Sequence, residues 1–341
     1  MRKNRPLWLA GLLLAGVMLV LAACGNAGNG ERNGETPTNE AIGQGTTEAA
    51  TGGEEADFPR TITDAEGEVV IEAQPERVAV VHWGYIDPSL IFDMPQTAFA
   101  LPFTERQSAL QGEEYQPYVE GREVTYVGEN QQVNMEALLA FDPDLIIGGS
   151  SVNAEIAAEL RKIATTVIID EAQTDVWTDW PALVTVFGEL LGQEEAASAY
   201  IADFDSRVEA AREALAGVEG TVAFTQVRED TVWLQGIQYT GLYYDRLGLT
   251  PPDDAVMAEG GQLSLEGLST LGPDHLFLGY FNKLDTSLAA FTDTWTGTEV
   301  WKSLPAVQDG HVYDIDGSLA LGYGPIGQSY GIRTVVEALR R

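Results

Sequence analysis

Residues 134–148 read NMEALLAFDPDLIIG, and residues 264–279 read SLEGLSTLGPDHLFLG. In both stretches a glutamate precedes a proline by seven residues, a leucine follows that glutamate by two, and an aspartate follows the proline directly. Each stretch predicts a short helix capped by Asn134 or Ser264, then a Pro-Asp turn and a buried strand. A second strand is predicted later in each half, at residues 166–170 and 311–316. This ordered repetition predicts two α/β lobes of similar build.

The segments around the repeat predict how the lobes are made and joined. Strands at residues 77–81 and 221–227 open the two halves, and strands that alternate with helices indicate mostly parallel sheets flanked by helices. Between the halves, Asp179 is predicted to cap a helix that ends at Gly192. A second helix over residues 193–215 carries one apolar stripe. We therefore expect an α/β fold in which one long backbone helix joins the lobes and leaves a ligand cleft between them.

These patterns set the expected domain boundaries. The N-terminal lobe is predicted at residues 58–178, the helical linker at 179–216 and the C-terminal lobe at 217–341. The segment before residue 58 is rich in glycine and acidic residues and has no aromatic residue after position 24. Such a segment cannot bury enough apolar surface to offset the entropy of ordering it, so residues 24–57 are predicted to be a flexible tether.

The first 24 residues have the organisation of an export signal. Three basic residues precede an uncharged run over residues 7–23, and small residues stand directly before Cys24. A run of this length is at the short limit for a transmembrane helix, whereas the small residues favour a cleaved signal. The segment resembles a bacterial lipoprotein signal. That resemblance implies that residues 1–23 are removed and that Cys24 is lipidated on the outer face of the bacterial cell membrane.

Composition excludes several classes of function. The 341 residues include 52 Asp and Glu against 19 Lys and Arg, a formal net charge of −33. A nucleic-acid partner is excluded because phosphate binding needs clustered basic side chains. A single cysteine excludes an internal disulfide, a cysteine-ligated zinc site and a protein-held iron–sulfur cluster.

The ordered set of motifs resembles the lipid-anchored solute-binding proteins of ABC importers for ferric siderophores and vitamin B12. The resemblance covers about residues 58–341 and depends on the two repeat blocks, Pro75-Glu76-Arg77-Val78, Leu247-Gly248-Leu249 and the bridging helix. It implies a bilobal fold without a cofactor of its own, which delivers ligand to a permease dimer driven by a separate ATPase. It also implies that Glu136 and Glu266 dock to that permease. The alternative is that each is an ordinary first-turn glutamate that stabilises its helix.

Residues that follow strands are the candidates for the ligand site, because ligands bind at the carboxyl ends of strands in such lobes. Arginine offers a planar fork to carboxylate or iron-bound oxygens, and aromatic rings offer contact area. For the aromatic residues the alternative is core packing, and for the arginines it is a solvated surface position. The predicted ligand contacts are His82, Trp83, Tyr85, Arg106, Arg228, Trp233, Tyr239, Tyr280 and Tyr323.

Aromatic walls with two guanidinium groups suit a bulky, oxygen-rich chelate, and a ferric siderophore fits best. The chelator would supply the iron's ligands, so no metal-ligating residue is predicted, and a monomer is expected. Cobalamin and haem remain alternatives within the same fold. A direct metal-ion binder, an extracellular sensor and an exported hydrolase are further alternatives, although the three histidines, at positions 82, 275 and 311, lack metal-like spacing.

Overall fold

The computed structural model describes residues 58–281, Lys283 and residues 288–340. The predicted signal peptide, the lipidated Cys24 and the tether lie outside the described residues. In the part of the chain that is described, no helix is both long and apolar enough to cross a bilayer.

The N-terminal half contains a small hairpin and a six-stranded sheet. The strands are β1 (Arg60–Asp64), β2 (Gly67–Ile71), β3 (Arg77–Val80), β4 (Gln96–Ala100), β5 (Glu123–Glu129), β6 (Gln132–Val133), β7 (Leu145–Gly149) and β8 (Thr165–Ile169). In the sheet the strand order is β6-β5-β4-β3-β7-β8, and every pair is parallel except β5 with β6. The interior strand β7 is buried throughout, as expected when helices cover both faces of a parallel sheet.

Short helices connect these strands. They are α1 (Ile86–Ser89), α2 (Gln116–Val119), α3 (Met135–Phe141), α4 (Ser150–Asn153) and α5 (Ala157–Leu160). The predicted cap of α3 is confirmed, because the Asn134 side chain accepts hydrogen bonds from the backbone N–H groups of Glu136 and Ala137, both at 3.1 Å.

Two helices join the halves, as the sequence predicted. Helix α6 (Trp180–Leu191) is capped by Asp179 and ends at Gly192, which adopts the left-handed conformation. Helix α7 (Glu194–Leu215) has 22 residues and would be about 33 Å long at 1.5 Å per residue. Of its predicted apolar stripe, Tyr200 is half-buried and the other members are buried: Ala197, Phe204, Val208, Ala211 and Leu215.

The C-terminal half has a five-stranded sheet. Its strands are β9 (Val222–Val227), β10 (Val232–Gln235), β11 (Gly260–Gln262), β12 (His275–Tyr280) and β13 (Val312–Asp316). The strand order is β11-β10-β9-β12-β13. Strands β9, β12 and β13 run parallel, whereas β10 and β11 are antiparallel to their neighbours, so this sheet is mixed.

The helices of this half are mostly short, and the last is the longest. They are α8 (Ile237–Gly241), α9 (Leu265–Leu271), α10 (Glu299–Lys302), α11 (Pro305–Gln308), α12 (Gly317–Ala320) and α13 (Pro325–Leu339). The predicted cap of α9 is confirmed, because the Ser264 hydroxyl accepts a hydrogen bond from the Gly267 N–H at 3.0 Å. Both copies of the repeat therefore fold as a capped helix, a turn and a strand.

Candidate functional site

A cavity of about 320 Å³ lies between residues of the two halves. One wall comes from segments that follow β3, β4 and β5, and the other comes from segments that follow β9, β12 and β13. Most of these strands end at this edge of their sheets, which is where ligands bind in open α/β folds. The side chains of the two walls that matter most below are Trp83, Phe103, Gln107, Gln226, Arg228 and Tyr323.

The turn after β3 presents Trp83 to this cavity. The His82 ring nitrogen Nδ1 accepts a hydrogen bond from the Gly84 N–H at 3.1 Å, which shapes a short 3₁₀ turn over Trp83–Tyr85. His82 and Tyr85 have no accessible surface, and their rings stack at 4.0 Å. Neither residue lines the cavity, and because both are fully buried neither is placed to contact a ligand there. They support Trp83 from behind.

The Glu171 carboxylate holds the His82 ring in place. Glu171 Oε1 lies 3.3 Å from His82 Nε2, and its other oxygen accepts the Ser151 N–H at 2.6 Å. Burial raises the pKa of the Glu171 carboxyl, but its interactions with His82 and Ser151 outweigh burial and lower that pKa below its usual range. Burial, followed by the charges of Glu171 and Asp175, raises the pKa of the Tyr85 hydroxyl, which stays protonated.

Trp177, which the sequence analysis did not select, connects the two walls. Its ring lies 4.8 Å from that of Trp83 and 4.8 Å from that of Tyr323, the latter edge to face at 77°. Aromatic pairs in such arrangements contribute about 0.5–1.5 kcal/mol beyond their buried area. Trp177 lies in the segment between β8 and α6, which has no periodic pattern. The available signal was a tryptophan in a polar segment just before the predicted cap at Asp179.

Arg228 lies on the C-terminal wall. Its guanidinium carbon is 4.9 Å from the centre of the Phe281 ring, and Nη2 donates to Gln226 Oε1 at 3.3 Å. Within residues 58–281, 283 and 288–340, no carboxylate forms an ion pair with it. Arg228 therefore places a positive charge at the cavity of a strongly acidic protein.

Tyr323 lies close to this arginine and to Tyr239. Burial and then the neighbouring Tyr239 hydroxyl raise the pKa of Tyr323, while the Arg228 charge lowers it. Tyr323 lines the cavity, whereas Tyr239 is half exposed and does not line it. Two of the predicted residues, Arg228 and Tyr323, therefore lie together on the C-terminal wall.

The remaining predicted contacts do not line the cavity. Arg106 is exposed in the 3₁₀ turn Glu105–Gln107, and its neighbours Gln107 and Ser108 line the cavity instead. Trp233 is exposed on β10, opposite Gln226 in the ladder. Tyr280 is half-buried at the end of β12, where its hydroxyl lies 3.4 Å from that of Thr292.

The two predicted docking glutamates occupy equivalent places. Glu136 is in the first turn of α3 and Glu266 is in the first turn of α9, and both side chains are exposed. Neither carboxylate has a side-chain partner among the residues that the structure describes.

Chemistry other than binding finds little support. A Gly-x-Ser-x-Gly sequence, typical of hydrolases, occurs at residues 327–331, but it lies inside α13 and not at a strand-to-helix turn. The hydroxyl of its Ser329 donates to the Pro325 carbonyl at 2.6 Å and accepts from Arg207 at 2.9 Å. Among the described residues there is also no cluster of three His, Cys, Asp or Glu suited to a metal ion.

Residues 86–319 match the protein family described as "Periplasmic binding protein". Among curated proteins, the Fe(3+)-citrate-binding protein YfmC of Bacillus subtilis is 25% identical over 89% of this chain and 87% of its own length. The iron(3+)-hydroxamate-binding protein YxeB of the same organism is 25% identical over 99% of this chain and 97% of its own length.

Solved structures share the fold. The petrobactin-binding protein YclQ from Bacillus subtilis superposes with a TM-score of 0.66 at 20% identity, covering 83% of this chain and 99% of its own. This likeness supports the two-lobed architecture with α7 as the connecting helix.

Proposed function

The chain belongs to the periplasmic binding protein family, and on that premise we propose that it captures a ferric siderophore or similar iron chelate and delivers it to an ABC import permease. It is a solute-binding protein and not an enzyme. The observation that carries the proposal is the cavity between the halves, walled by aromatic rings and bordered by Arg228, which forms no ion pair with any carboxylate of the described residues. Relatives named for binding Fe(3+)-citrate and iron(3+)-hydroxamate support the choice of an iron chelate.

In this proposal the ligand contacts Trp83, Arg228 and Tyr323 directly. Arg228 offers two parallel donors to carboxylate or iron-bound oxygens, and the two rings offer flat apolar contact. Tyr239, Trp233 and Arg106 lie outside the cavity lining and would contact only a ligand large enough to extend beyond it. Tyr280 supports the C-terminal wall, while His82 and Tyr85 support Trp83. The iron stays inside the chelate as cargo.

A binding panel tests the ligand class. Thermal unfolding of the full chain is measured with ferric citrate, a ferric trihydroxamate, a ferric tricatecholate, cobalamin and haemin, because a ligand that binds the folded state raises the melting temperature. We expect one iron chelate to raise it and cobalamin and haemin to have no effect. A shift with cobalamin or haemin alone would replace the chelate by that ligand, and no shift with any of them would overturn the proposal.

Arg228→Gln tests the site within the same assay. The substitution removes a charge-assisted contact worth about 1.5–3 kcal/mol, so we expect the Kd for the matching chelate to rise roughly ten- to hundredfold. Arg212→Gln, an equal change of charge at an exposed position on α7, is the matched control and should leave the Kd unchanged. Equal Kd values for the two variants would contradict the assignment.

Delivery is proposed to depend on Glu136 and Glu266. The equivalent, exposed positions of these carboxylates suit the two subunits of a permease dimer whose energy comes from a separate ATPase. Glu136→Arg combined with Glu266→Arg should abolish cellular uptake of the chelate and leave its Kd unchanged. Glu209→Arg combined with Glu213→Arg makes the same change of charge on α7 and should preserve uptake.

We further propose that the protein works as a monomer held by a lipid on Cys24 at the outer face of the bacterial membrane. The tether would raise its concentration near the permease, so that moderate docking affinity suffices. Cys24→Ser should release the protein from the membrane fraction. Retention of that variant on the membrane would contradict the anchor.

A further inference from the structure

The last long helix begins without a cap of its own. Helix α13 starts with Gly324 at the N-cap position and Pro325 in the first turn, and neither offers a side-chain acceptor. The first backbone N–H groups of any helix have no partner within the helix and need one from elsewhere. Other helices in the molecule receive that partner from the residue that precedes them: α3 from Asn134, α6 from Asp179, α9 from Ser264 and α12 from Asp316.

The missing cap comes from the opposite half of the molecule. Asp87, on α1 of the N-terminal half, accepts the N–H of Ile326 with Oδ1 at 3.0 Å and the N–H of Gly327 with Oδ2 at 2.9 Å. These are the second and third residues of α13, whose N–H groups an N-cap side chain normally bonds. The Tyr115 hydroxyl donates to Asp87 Oδ2 at 2.5 Å and orients the carboxylate.

The fit around this contact is close. A methyl group on Gly324 would overlap the Asp87 carboxyl, so the N-terminus of α13 can approach α1 only with glycine at that position. An ion pair also ties α13 to the N-terminal half, Arg333 with Glu114 at 2.5 Å, but both side chains are solvent-accessible and such pairs contribute little. Asp87 and Gly324 both line the cavity. The contact thus lies at the cavity and joins the two halves there.

We propose that Asp87 is a positioning residue that fixes the angle between the two lobes, and with it the width of the cavity, by capping α13 from the opposite lobe. The effect of Asp87 on the angle between the lobes rests on these contacts alone, whereas its consequence for ligand affinity rests on the proposed function. Because helix N-termini attract anions, the carboxylate also occupies the place where an acidic group of a ligand would otherwise bind. An acidic ligand is left to pair with Arg228 on the C-terminal wall.

The distance between the lobes provides the test, and it needs no ligand. Spin labels are attached at Glu123→Cys and Asp309→Cys, exposed positions in the two halves, in a full-length Cys24→Ala background. We expect Asp87→Gly to broaden the distribution of label distances relative to the parent. Sodium formate should narrow it again, because formate can occupy the vacated place and accept the same two N–H groups.

A matched control separates this role from stability in general. Asp64 also accepts three backbone N–H groups, from Glu66, Gly67 and Ile168, but all of them lie within the N-terminal half. Asp64→Asn should lower the melting temperature without broadening the distances, and formate should not affect it. If Asp87→Gly does not fold, Asp87→Asn keeps one acceptor oxygen and should broaden the distribution less.

The outcomes distinguish the lobe angle from the ligand. An unchanged distance distribution in the folded Asp87 variant would overturn the inference, as would a broadening that formate leaves in place. With ferric citrate as the probe, or whichever chelate the panel identifies, we expect Asp87→Gly to weaken binding at least tenfold and formate to restore it. Broadened distances in a protein whose parent binds no chelate would support the role of Asp87 and contradict the proposed function.

Discussion

In each half of the molecule, the aspartate of the Pro-Asp turn holds the helix–turn–strand block to its sheet. Asp144 accepts the backbone N–H groups of Glu76 and Arg77 at the start of β3, at 2.8 and 3.1 Å. Asp274 accepts the N–H and the hydroxyl of Thr221, just before β9, at 2.7 and 2.9 Å. The aspartate of the Pro-Asp turn is therefore structural, because it holds the opening strand of each lobe beside the strand of the block.

The two copies differ at the end of the short helix. Asp142 ends α3 with a φ of 55°, and Gly272 ends α9 with a φ of 52°, so the same left-handed turn is made by an aspartate in one lobe and a glycine in the other. In the N-terminal lobe Arg77 Nε donates to the Asp142 carbonyl at 2.9 Å, and the same guanidinium bonds the Phe141 carbonyl. The turn in the N-terminal lobe is thus held by the Arg77 side chain, whereas the turn in the C-terminal lobe relies on the conformational freedom of Gly272. Neither Glu136 nor Glu266 takes part in these contacts.

The largest difference between the lobes should appear at Gly148 and Gly279, the next-to-last residues of β7 and β12. A methyl group on Gly279 would overlap the Thr225 carbonyl oxygen and the end of the Leu321 side chain, whereas one on Gly148 would meet only the Asn153 side chain, at 3.0 Å or more. We expect Gly279→Ala to lower the free energy of unfolding by about 2–3 kcal/mol and Gly148→Ala by about 1 kcal/mol. Urea denaturation measures both, and equal losses would show that the two strands are covered alike.

Removing the aspartate of the Pro-Asp turn should destabilise the two lobes to a similar extent. Asp144→Ala and Asp274→Ala each delete two hydrogen bonds to a carboxylate at an accessible site, so each should cost about 1–2 kcal/mol. Because the two aspartates lie in different lobes, the free energy of unfolding of the double variant should fall by the sum of the two values. A double variant that deviates from that sum by more than about 0.5 kcal/mol would reveal coupling between the lobes.

Exchanging the left-handed residues should have a smaller effect. Gly272→Ala places a side chain at a positive φ and should cost about 1 kcal/mol, because L residues other than Asn and Asp rarely adopt this conformation. Asp142→Gly should stabilise slightly or change nothing, since relief of that conformation opposes the greater freedom of glycine in the unfolded chain. A clear loss in Asp142→Gly would mean that the Asp142 side chain has a role beyond its backbone conformation.

The smallest expected effect is a dependence of stability on pH that comes from Asp274 in the C-terminal lobe. Hydrogen bonds from the Thr221 backbone and hydroxyl lower the pKa of Asp274 below its ordinary value of about 3.9. Its contribution to stability is therefore complete above that value and is lost as the pH falls through the lowered pKa. Asp274→Asn should flatten the decline of unfolding free energy below about pH 4, and a decline as steep as in the parent would contradict this.

The parts of the fold that depend on local chemistry could be predicted from the sequence. The caps at Asn134, Asp179 and Ser264 each need only a side-chain acceptor and the residues that follow it, and all three were found. The hairpin of β1 and β2 was not predicted, nor was the antiparallel edge of the second sheet, although the paired strands are neighbours in sequence. Whether such a short segment forms a strand depends on the surface that it packs against as well as on its own residues.

The candidate site was only partly accessible to sequence reasoning. The end of β3 pointed to Trp83 and the end of β9 pointed to Arg228, since the chain leaves a parallel strand at a known edge. The burial of His82 and Tyr85 depends on Glu171 and Gly149, which arrive from other strands. Trp177 and Asp87 could not be selected because their partners, Tyr323 and the start of α13, are far away in the sequence.

The borrowed cap of α13 also bears on how the chain reaches its native state. Asp87 meets its partners across 239 and 240 residues, so the contact can close only when nearly the whole chain is available. Contacts of such separation slow folding. A nascent chain that stops before residue 325 would leave the Asp87 carboxylate without its two amide donors, and we expect such products to remain protease-sensitive. We therefore expect the N-terminal lobe to reach its stable native state only after the final helix has been completed.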